Sequence, residues 1–249
     1  MKWFPVLIPA LLLLPAAGPS VRGGVIPVVP PAVPKPAPAD APGRNRVSPL
    51  QGVHAYVCGL HFYNGRMDRQ VIAHHYCAHV NEDLMQCVIY DSNRKNARLI
   101  GIEYVISGRR FRTLPPEEQR LWHSHAYEVK SGLLLAPGLG DHAEKALMKD
   151  FASTYGKTWH TWQVDRGDAL PYGIPQLMMG FTGDGQVNPD LVAERDRDLG
   201  LDTAAKRRQR ADLPDLAVDP AADAWRLGQP QQLELGPAGT GKVQKIPTH

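Results

Sequence analysis

The chain has 249 residues, of which 43% are hydrophobic and 21% are charged, and its formal net charge is +3. This length and composition suit one folded domain with tails and exclude a collagen, a coiled coil or a membrane bundle. A net charge this small, with only one short basic run at 206–210, is not typical of a nucleic-acid-binding protein. We therefore expect no nucleic-acid partner.

The N-terminal 48 residues divide into two segments. Residues 1–18 contain Lys2, an apolar stretch at 3–14 and a run of small residues, which is the pattern of a signal peptide. We therefore expect export to the periplasm or the extracellular space, with an uncleaved membrane anchor as the alternative. Residues 19–48 are rich in proline, which predicts a disordered tether. The domain is expected at 49–226, followed by a flexible C-terminal tail at 227–249.

Five segments of the expected domain have the composition of β-strands. The segments 70–80, 84–91 and 97–107 are rich in Val, Ile and Tyr and are separated by polar NED and SNRKN, which predicts a three-stranded antiparallel meander. Two more strands are predicted at 158–164 and 174–182. The order of elements, with strands first and helices interleaved later, favours a single α+β domain with an antiparallel meander sheet over a doubly wound sheet.

Two helices are predicted from their terminal residues. In the segment 112–122, paired prolines precede paired glutamates, and both suit the first turn of a short helix that ends near Trp122. In the second helix, Asp141 and Glu144 have the spacing of a capping box. Gly156 stands where a left-handed C-terminal cap is expected.

The segment AHHYCAHVNED, residues 73–83, is rich in potential metal ligands. In a strand, His75, Cys77 and His79 share one face and His74 lies on the other. In a helix, His75, His79 and Glu82 would stack as a metal site, but the β-rich flanks favour the strand. Histidines that satisfy hydrogen bonds within a half-buried layer are the simpler interpretation of this face, and metal binding is the alternative.

A second cluster, WHSHAYE, contains the best single ligand candidates. His123 and His125 share a face if the segment is extended, and imidazoles of this kind bind zinc or iron. Glu128 completes a set similar to that of cupins, but its odd spacing turns it to the opposite face unless the chain bends. His160 is either a core histidine beside Trp162 or a third imidazole ligand.

The cysteines allow a separate prediction. If NED is a three-residue hairpin loop, Cys77 lies directly opposite Cys87, and cross-strand neighbours are close enough for a disulfide. We therefore predict that Cys77 and Cys87 bond on oxidation and that Cys58 is the odd thiol.

Several long blocks, among them HFYNGRMDRQVIAHHYCAHVNEDLMQCVIYDS, LWHSHAYEVKSG and GIPQLMMGFT, resemble the oil-body-associated protein family over roughly 49–225. Plant members of that family are associated with seed lipid droplets, and the family supplies no established catalytic residue. The resemblance therefore implies a protein that binds a lipidic or apolar partner. The signal-like N-terminus and the proline tether distinguish this chain from the plant members.

Two hypotheses follow. In the first, a non-catalytic exported or envelope protein binds a lipid or another apolar partner. In the second, a metal-dependent enzyme holds zinc or iron through His123 and His125, helped by His75, His79, His160 or Glu128. The glycine required five residues before Gly156 for a phosphate-binding loop is replaced by Phe151, so no nucleotide is expected. The sequence does not determine an oligomeric state.

Overall fold

The computed structural model describes residues 49–234. The seven strands are β1 Ala55–Tyr63, β2 Arg66–Asn81, β3 Leu84–Tyr90, β4 Leu99–Ser107, β5 His123–Ser124, β6 Thr154–His160 and β7 Gln176–Met179. The six α-helices are α1 Gly108–Phe111, α2 Pro116–Gln119, α3 Ala126–Ser131, α4 Asp141–Phe151, α5 Pro189–Leu199 and α6 Thr203–Gln209. The predicted signal peptide, the tether and residues 235–249 of the predicted tail lie outside the described residues.

The strands form one antiparallel sheet that closes on itself. Its order is β4-β3-β2-β1-β7-β6-β5, and β4 also pairs with β6 from Gly101 opposite His160 to Ser107 opposite Thr154. This second pairing makes a barrel of six strands, while the two-residue β5 pairs with the start of β6. The α+β class and the antiparallel meander are thus confirmed. Closure of the sheet was not predicted, because it depends on a pairing between strands distant in sequence.

The first hairpin of the barrel was missing from the sequence prediction. β1 pairs with β2 from Ala55 opposite Cys77 to Phe62 opposite Gln70. The strands are joined at Asn64 and Gly65, and Gly65 has a φ of 82°. Asn-Gly between apolar segments is a strong hairpin signal, and of these two residues Gly65 is the one that has a positive φ here.

The meander has the register on which the cysteine prediction depended. Cys77 lies opposite Cys87, and the two form a disulfide, whereas Cys58 is a buried free thiol. The predicted pairing is confirmed. A bulge near the end of β2 places Asn81 opposite Leu84, so the register at the turn differs from that expected for a three-residue loop.

The capping box and the glycine cap predicted for the second helix are wrong. α4 begins after Gly140, which provides no side-chain cap, and β6 already starts at Thr154. Glu144 is instead buried against Arg210 and Lys206, and Gly156 lies inside β6. A buried guanidinium requires an anionic partner, so a long-range ion pair takes precedence over local capping by this glutamate.

The helix predicted over 112–122 is shorter than expected. α1 ends at Phe111, and α2 spans only Pro116–Gln119, with a proline at its start and Glu117 and Glu118 in its first turn as expected. Trp122 follows α2, and its indole nitrogen donates a hydrogen bond to Glu118. The predicted strands near 158–164 and 174–182 correspond to β6 and β7.

Helices α3 and α4 cover one end of the barrel. Their apolar side chains pack with inward residues of the strands in one cluster, which includes Val57, Cys77, Met85, Cys87, Val105, Val129, Met148 and Phe151. Past residue 226 the chain still contacts the sheet, because Gln232 hydrogen-bonds to the backbone of Asn64 and Leu177. Within residues 49–234, no helix has the length and apolar character required to cross a bilayer.

Candidate metal centre

A cluster of imidazoles and carboxylates lies in the barrel beneath this apolar layer. Each strand alternates its side chains between the two faces of the sheet, so inward positions of different strands meet in the interior. The cluster consists of His61 on β1, His75 on β2, Glu103 on β4, His123 on β5, His125 and Glu128 at the start of α3, and His160 on β6. Every one of these residues is at most 4% exposed. Such burial of ionisable groups is costly unless each has a partner.

Glu103 is the centre of the cluster. Its Oε2 lies 2.9 Å from Nε2 of His75, and its Oε1 lies 3.2 Å from Nε2 of His125 and 3.4 Å from Nε2 of His123. Burial alone raises the pKa of Glu103, but the contacts with these three histidines lower this pKa well below its usual value. Glu103 is therefore a buried carboxylate rather than a neutral acid.

Several imidazoles of the cluster are neutral. Burial lowers the pKa of His61 and of His123, and it lowers the pKa of His160 to about 3. Nδ1 of His61 lies 3.3 Å from Nε2 of His160. A neutral imidazole carries a lone pair on one ring nitrogen and is the form that binds metal ions.

Two of the rings lack hydrogen-bond partners despite their crowded surroundings. Neither ring nitrogen of His75 or of His123 makes a hydrogen bond of acceptable geometry within the described structure, although Nε2 of each lies near Glu103. Buried polar atoms without partners are rare in proteins and point to a missing water or ion. Close but misdirected contacts of this kind are expected when ligand atoms converge on a shared cation.

The donor atoms are near enough to one another for such a cation. One ligand atom each from His61, Glu103 and His123 lie within 4.8 Å of one another, and the same holds for His123, His125 and Glu128. His123 belongs to both sets. Two or three imidazoles with a carboxylate form a ligand set that suits zinc or iron.

Two glycines, one in β6 and one directly after β7, make room for the carboxylates. A Cβ on Gly156 would lie 2.0 Å from Oε1 of Glu103, and a Cβ on Gly180 would lie 2.5 Å from Oε2 of Glu128. Both distances are far below van der Waals contact. The backbone therefore approaches these two carboxylates as closely as only glycine allows.

Glu128, within the cluster, lies near the buried carboxyl group of Asp223. Burial raises the pKa of Glu128 well above its usual value, and the nearby charges of Glu103 and Asp223 raise it further. Burial also raises the pKa of Asp223 to about 7. Glu128 is thus a neutral acid in the absence of a cation, and a bound cation would favour its carboxylate form.

Five of the six predicted site residues come together in this cluster: His75, His123, His125, Glu128 and His160. The chain turns into α3 immediately after His125, and this bend brings Glu128 back to the side of His123. His79 does not join them. It is exposed, and its ring stacks on that of His54 at a centroid distance of 5.0 Å.

Two members of the cluster, His61 and Glu103, were missed from the sequence. His61 lies on β1, a strand that was not predicted. Glu103 lies in the middle of a segment with apolar residues at both parities, Ile102 and Tyr104 beside it and Val105 two positions on. A charged residue in a strand without a polar face is itself a signal of a buried partner.

These features define an antiparallel β-barrel protein with a buried histidine–carboxylate cluster. The family model described as "Protein of unknown function (DUF1264)" matches residues 47–214. Oil body-associated protein 1B of Arabidopsis thaliana is 42% identical over 201 residues, which cover 80% of this chain and 83% of the relative. Oil body-associated protein 1A of Zea mays is 46% identical over 183 residues, covering 73% and 77%.

A third relative, oil body-associated protein 2A of Zea mays, is 46% identical over 181 residues, covering 71% of this chain and 72% of the relative. No solved structure matches. The chain therefore belongs to the oil-body-associated protein family, as the resemblance of its sequence blocks indicated. The family model describes proteins whose function is unknown.

The prediction of export to the periplasm or the extracellular space is wrong. The relatives are named for an association with oil bodies, which are lipid droplets inside cells. A short apolar stretch after a single lysine resembles a signal peptide by composition alone. Composition alone does not show whether such a segment is recognised by the export machinery or contacts another surface.

Proposed function

We propose that this member of the oil-body-associated protein family binds one transition-metal ion, zinc or iron, inside its barrel. His61, Glu103 and His123 are the central ligands. The observation that carries the proposal is the His123 ring, which is 0% exposed and has no hydrogen-bond partner at either nitrogen in the described structure. Coordination would satisfy such a ring nitrogen without any change of fold.

The residues around the proposed ligands support the same assignment. Metal-binding carboxylates are oriented by hydrogen bonds from neighbouring groups, and Nε2 of His125 lies 3.2 Å from Oε1 of Glu103. Nδ1 of His125 in turn contacts the hydroxyl of Thr154 at 2.8 Å. His125 can therefore orient the Glu103 carboxylate.

The burial of the ligands favours a closed site. Structural zinc sites are enclosed by protein, whereas catalytic sites keep a coordination position open to water or substrate. His61, Glu103 and His123 are at most 3% exposed. The geometry thus supports a metal-binding protein better than the alternative of a metal-dependent enzyme.

Metal analysis of purified protein tests the proposal. The wild-type chain, purified without added chelator, is expected to carry about one zinc or iron ion per chain by inductively coupled plasma mass spectrometry, as one closed site predicts. His123→Ala should lose the metal, and circular dichroism should show that the fold remains. His79→Ala is the matched control, because His79 is exposed and lies outside the cluster, and it should retain the metal. A metal-free wild type, or full occupancy of His123→Ala, would refute the proposal.

We propose further that the outer face of the barrel contacts the lipid surface of an oil body. A row of apolar side chains crosses five strands on this face: Tyr56, Tyr76, Val88, Ile102 and Trp159. We call these residues the outer row. Ile102 of this row and the nearby Tyr104 are each 38% exposed, and apolar patches on soluble domains mark interaction sites.

The loop at one end of this face adds positive charge. Arg94, Lys95 and Arg98 lie between β3 and β4, where Arg94 pairs with Asp198 and Arg98 pairs with Asp91. Leu99, where β4 begins, is 48% exposed. Basic side chains beside an apolar surface suit a phospholipid layer with anionic headgroups. The association of the relatives with oil bodies, for which they are named, agrees with a lipid surface as partner.

Flotation with artificial droplets tests the lipid proposal. Triacylglycerol droplets coated with phosphatidylcholine and phosphatidylserine are expected to carry the wild-type protein to the top of a density gradient. Ile102→Asp should remove most of this binding, because it places a charge in the outer row. Leu227→Asp is the control, since Leu227 is 66% exposed and does not belong to the outer row. Equal flotation of both variants would exclude the outer row as the contact.

A further inference from the structure

The Cys77–Cys87 disulfide lies inside the barrel, next to the proposed metal centre. Cys77 on β2 is opposite Cys87 on β3, and Cys87 is in turn opposite Glu103 on β4. Both cysteines are at most 4% exposed. Directly paired residues of antiparallel strands have Cα atoms about 4.5 to 5.5 Å apart, so Cys87 and Glu103 are immediate neighbours and Cys77 lies one strand further from the carboxylate.

His75 connects the two features along the same strand. It precedes Cys77 by two positions, and residues two apart in a strand point to the same face. Its Nε2 lies 2.9 Å from Oε2 of Glu103 and has no well-formed hydrogen bond. The inward faces of β2, β3 and β4 therefore present an imidazole, two sulfur atoms and a carboxylate to one region of the interior.

This arrangement has different chemistry in its two oxidation states. Sulfur atoms bonded to each other are not thiolate ligands, whereas two free thiolates are strong ligands for zinc. In reducing compartments, paired cysteines more often serve metal binding or redox chemistry than permanent cross-links. Cys77 and Cys87 are buried near the Glu103 carboxylate, so they are positioned for metal binding or redox chemistry.

We infer that Cys77 and Cys87 act as a dithiol–disulfide switch on the metal centre, an inference that rests on the proposed metal binding. In the reduced state their thiolates join the histidine and carboxylate ligands, and the centre prefers a thiophilic ion such as zinc. In the oxidised state only nitrogen and oxygen ligands remain, and the ion is held less tightly.

The chemical step balances with a small thiol as reductant. Two molecules of a thiol such as glutathione transfer two electrons to the Cys77–Cys87 bond and become one small-molecule disulfide, while the two protein sulfurs become thiols. Each thiol that then coordinates the ion releases its proton to solvent. Oxidation by the small-molecule disulfide reverses both steps.

The third cysteine provides an internal control. Cys58 lies on β1 with the opposite parity to the inward residues, and its Sγ is 4.0 Å from Nε2 of His74, which does not belong to the cluster. It is as buried as the other two. Cys58→Ser therefore removes a buried sulfur without removing one from the region of Glu103.

Cobalt(II) substitution tests the switch, because cobalt bound by thiolate shows an intense near-ultraviolet charge-transfer band in addition to its visible d–d bands. The full chain is loaded with cobalt(II) after reduction by a phosphine and, separately, after oxidation. Thiol counts in denaturant should give three free cysteines and one, respectively, since the chain has three in all. We expect the charge-transfer band only in the reduced sample, retained in Cys58→Ser and absent from the Cys77→Ser, Cys87→Ser double variant.

The outcomes separate the switch from the metal centre itself. Visible d–d bands without a charge-transfer band in the reduced wild type would overturn the switch and leave the histidine–carboxylate centre intact. A complete absence of bound cobalt in both samples would overturn the proposed centre together with the switch. The comparison of reduced and oxidised wild type needs no variant, so a failure of the double variant to fold does not affect it.

Discussion

At the scale of single residues, Gly156 lies so close to the Glu103 carboxylate that no side chain fits there. Gly156 lies in β6 with ordinary strand pairing, and a Cβ there would overlap Oε1 of Glu103 and approach the His123 ring. Glycine is therefore required for space rather than for backbone conformation. The sequence pattern suggested a helix cap at this position because glycine is common there.

The first prediction follows from this contact. Gly156→Ala should lower the free energy of unfolding by about 1 to 3 kcal/mol or more, the range for overpacked interiors, and should displace Glu103 from the metal centre. Urea unfolding and metal content measure the two effects. Gly140→Ala is the control, because a Cβ at Gly140 meets nothing within 4 Å. A Gly156→Ala protein with wild-type stability would contradict the contact.

Asp223 provides a second prediction at this scale. It is the only non-glycine residue with a positive φ, 54°, within the described residues 49–234, and its Oδ1 accepts a hydrogen bond from the backbone of Ser124. Burial raises the pKa of Asp223 from 3.8 to about 7. Between these values the folded state keeps a proton that the unfolded state has lost, so stability falls as pH rises.

Asp223→Asn should remove this decline, because an amide keeps the acceptor oxygen, tolerates positive φ and does not ionise. Wild-type stability is expected to fall between about pH 4 and pH 7 with a contribution of at most about 1.4 kcal/mol per pH unit from this group. Urea unfolding across that range measures the slope in both proteins. Asp150→Asn, at an exposed carboxylate, should keep the wild-type decline. Identical slopes for Asp223→Asn and wild type would contradict the assignment.

At the scale of elements, α4 shows how tertiary contacts override local signals. Glu144 is 2% exposed, and Arg210 is 0% exposed. The Arg210 guanidinium donates to Glu144 and to the backbone carbonyls of Val129 and Leu134. This network ties α4 and the end of α6 to the segment after α3. The same glutamate in an isolated helix would be free to cap its own N-terminus.

The third prediction concerns this pair. Glu144→Gln leaves the Arg210 charge buried without an anionic partner, and removal of one member of a buried pair costs about 3 to 5 kcal/mol. Lys145→Ala, on the neighbouring position of the same helix, breaks a solvent-exposed pair with Asp212 and should change stability little. Chemical denaturation of the two variants compares them. A similar small effect for both would show that Arg210 finds other partners.

At the scale of the whole molecule, the cluster exists only because the barrel closes. His61, Glu103 and His123 come from β1, β4 and β5, and their ligand atoms come within 4.8 Å of one another only in the folded chain. An ion that binds the folded state and not the unfolded chain raises stability by mass action. Metal binding and folding are therefore coupled.

The fourth prediction is a thermal shift. Zinc at about one hundred times its dissociation constant adds about 2.7 kcal/mol to stability, which raises the Tm by roughly 5 to 10 °C for a domain of this size. Differential scanning calorimetry with zinc and with a chelator measures the shift. His123→Ala should show a cooperative transition but no dependence on zinc. An equal Tm for wild type in both conditions would argue against a folded-state metal site.

The local features of the protein could be predicted from its amino-acid sequence. Strand alternation and the hairpin between β2 and β3 placed Cys77 opposite Cys87 and set the inward face of His75, because period and register are properties of neighbouring residues. The family was also readable from sequence blocks, and five of the six predicted site residues lie in the cluster. His79 was misplaced because parity assigns a face of the sheet but does not say where along the strand that face becomes exposed.

Only the tertiary structure decided which elements meet. The β4–β6 pairing closes the sheet and brings Glu103 beside His123 and His125. Histidines that are distant in sequence thereby lie in one buried cluster. Sequence could not supply this, since contacts between distant segments depend on the packing of the whole chain rather than on local propensity. The role of Glu103 could not be predicted from sequence for the same reason. A carboxylate depends for its function on the groups around it, and here those groups come from four different strands and the start of a helix.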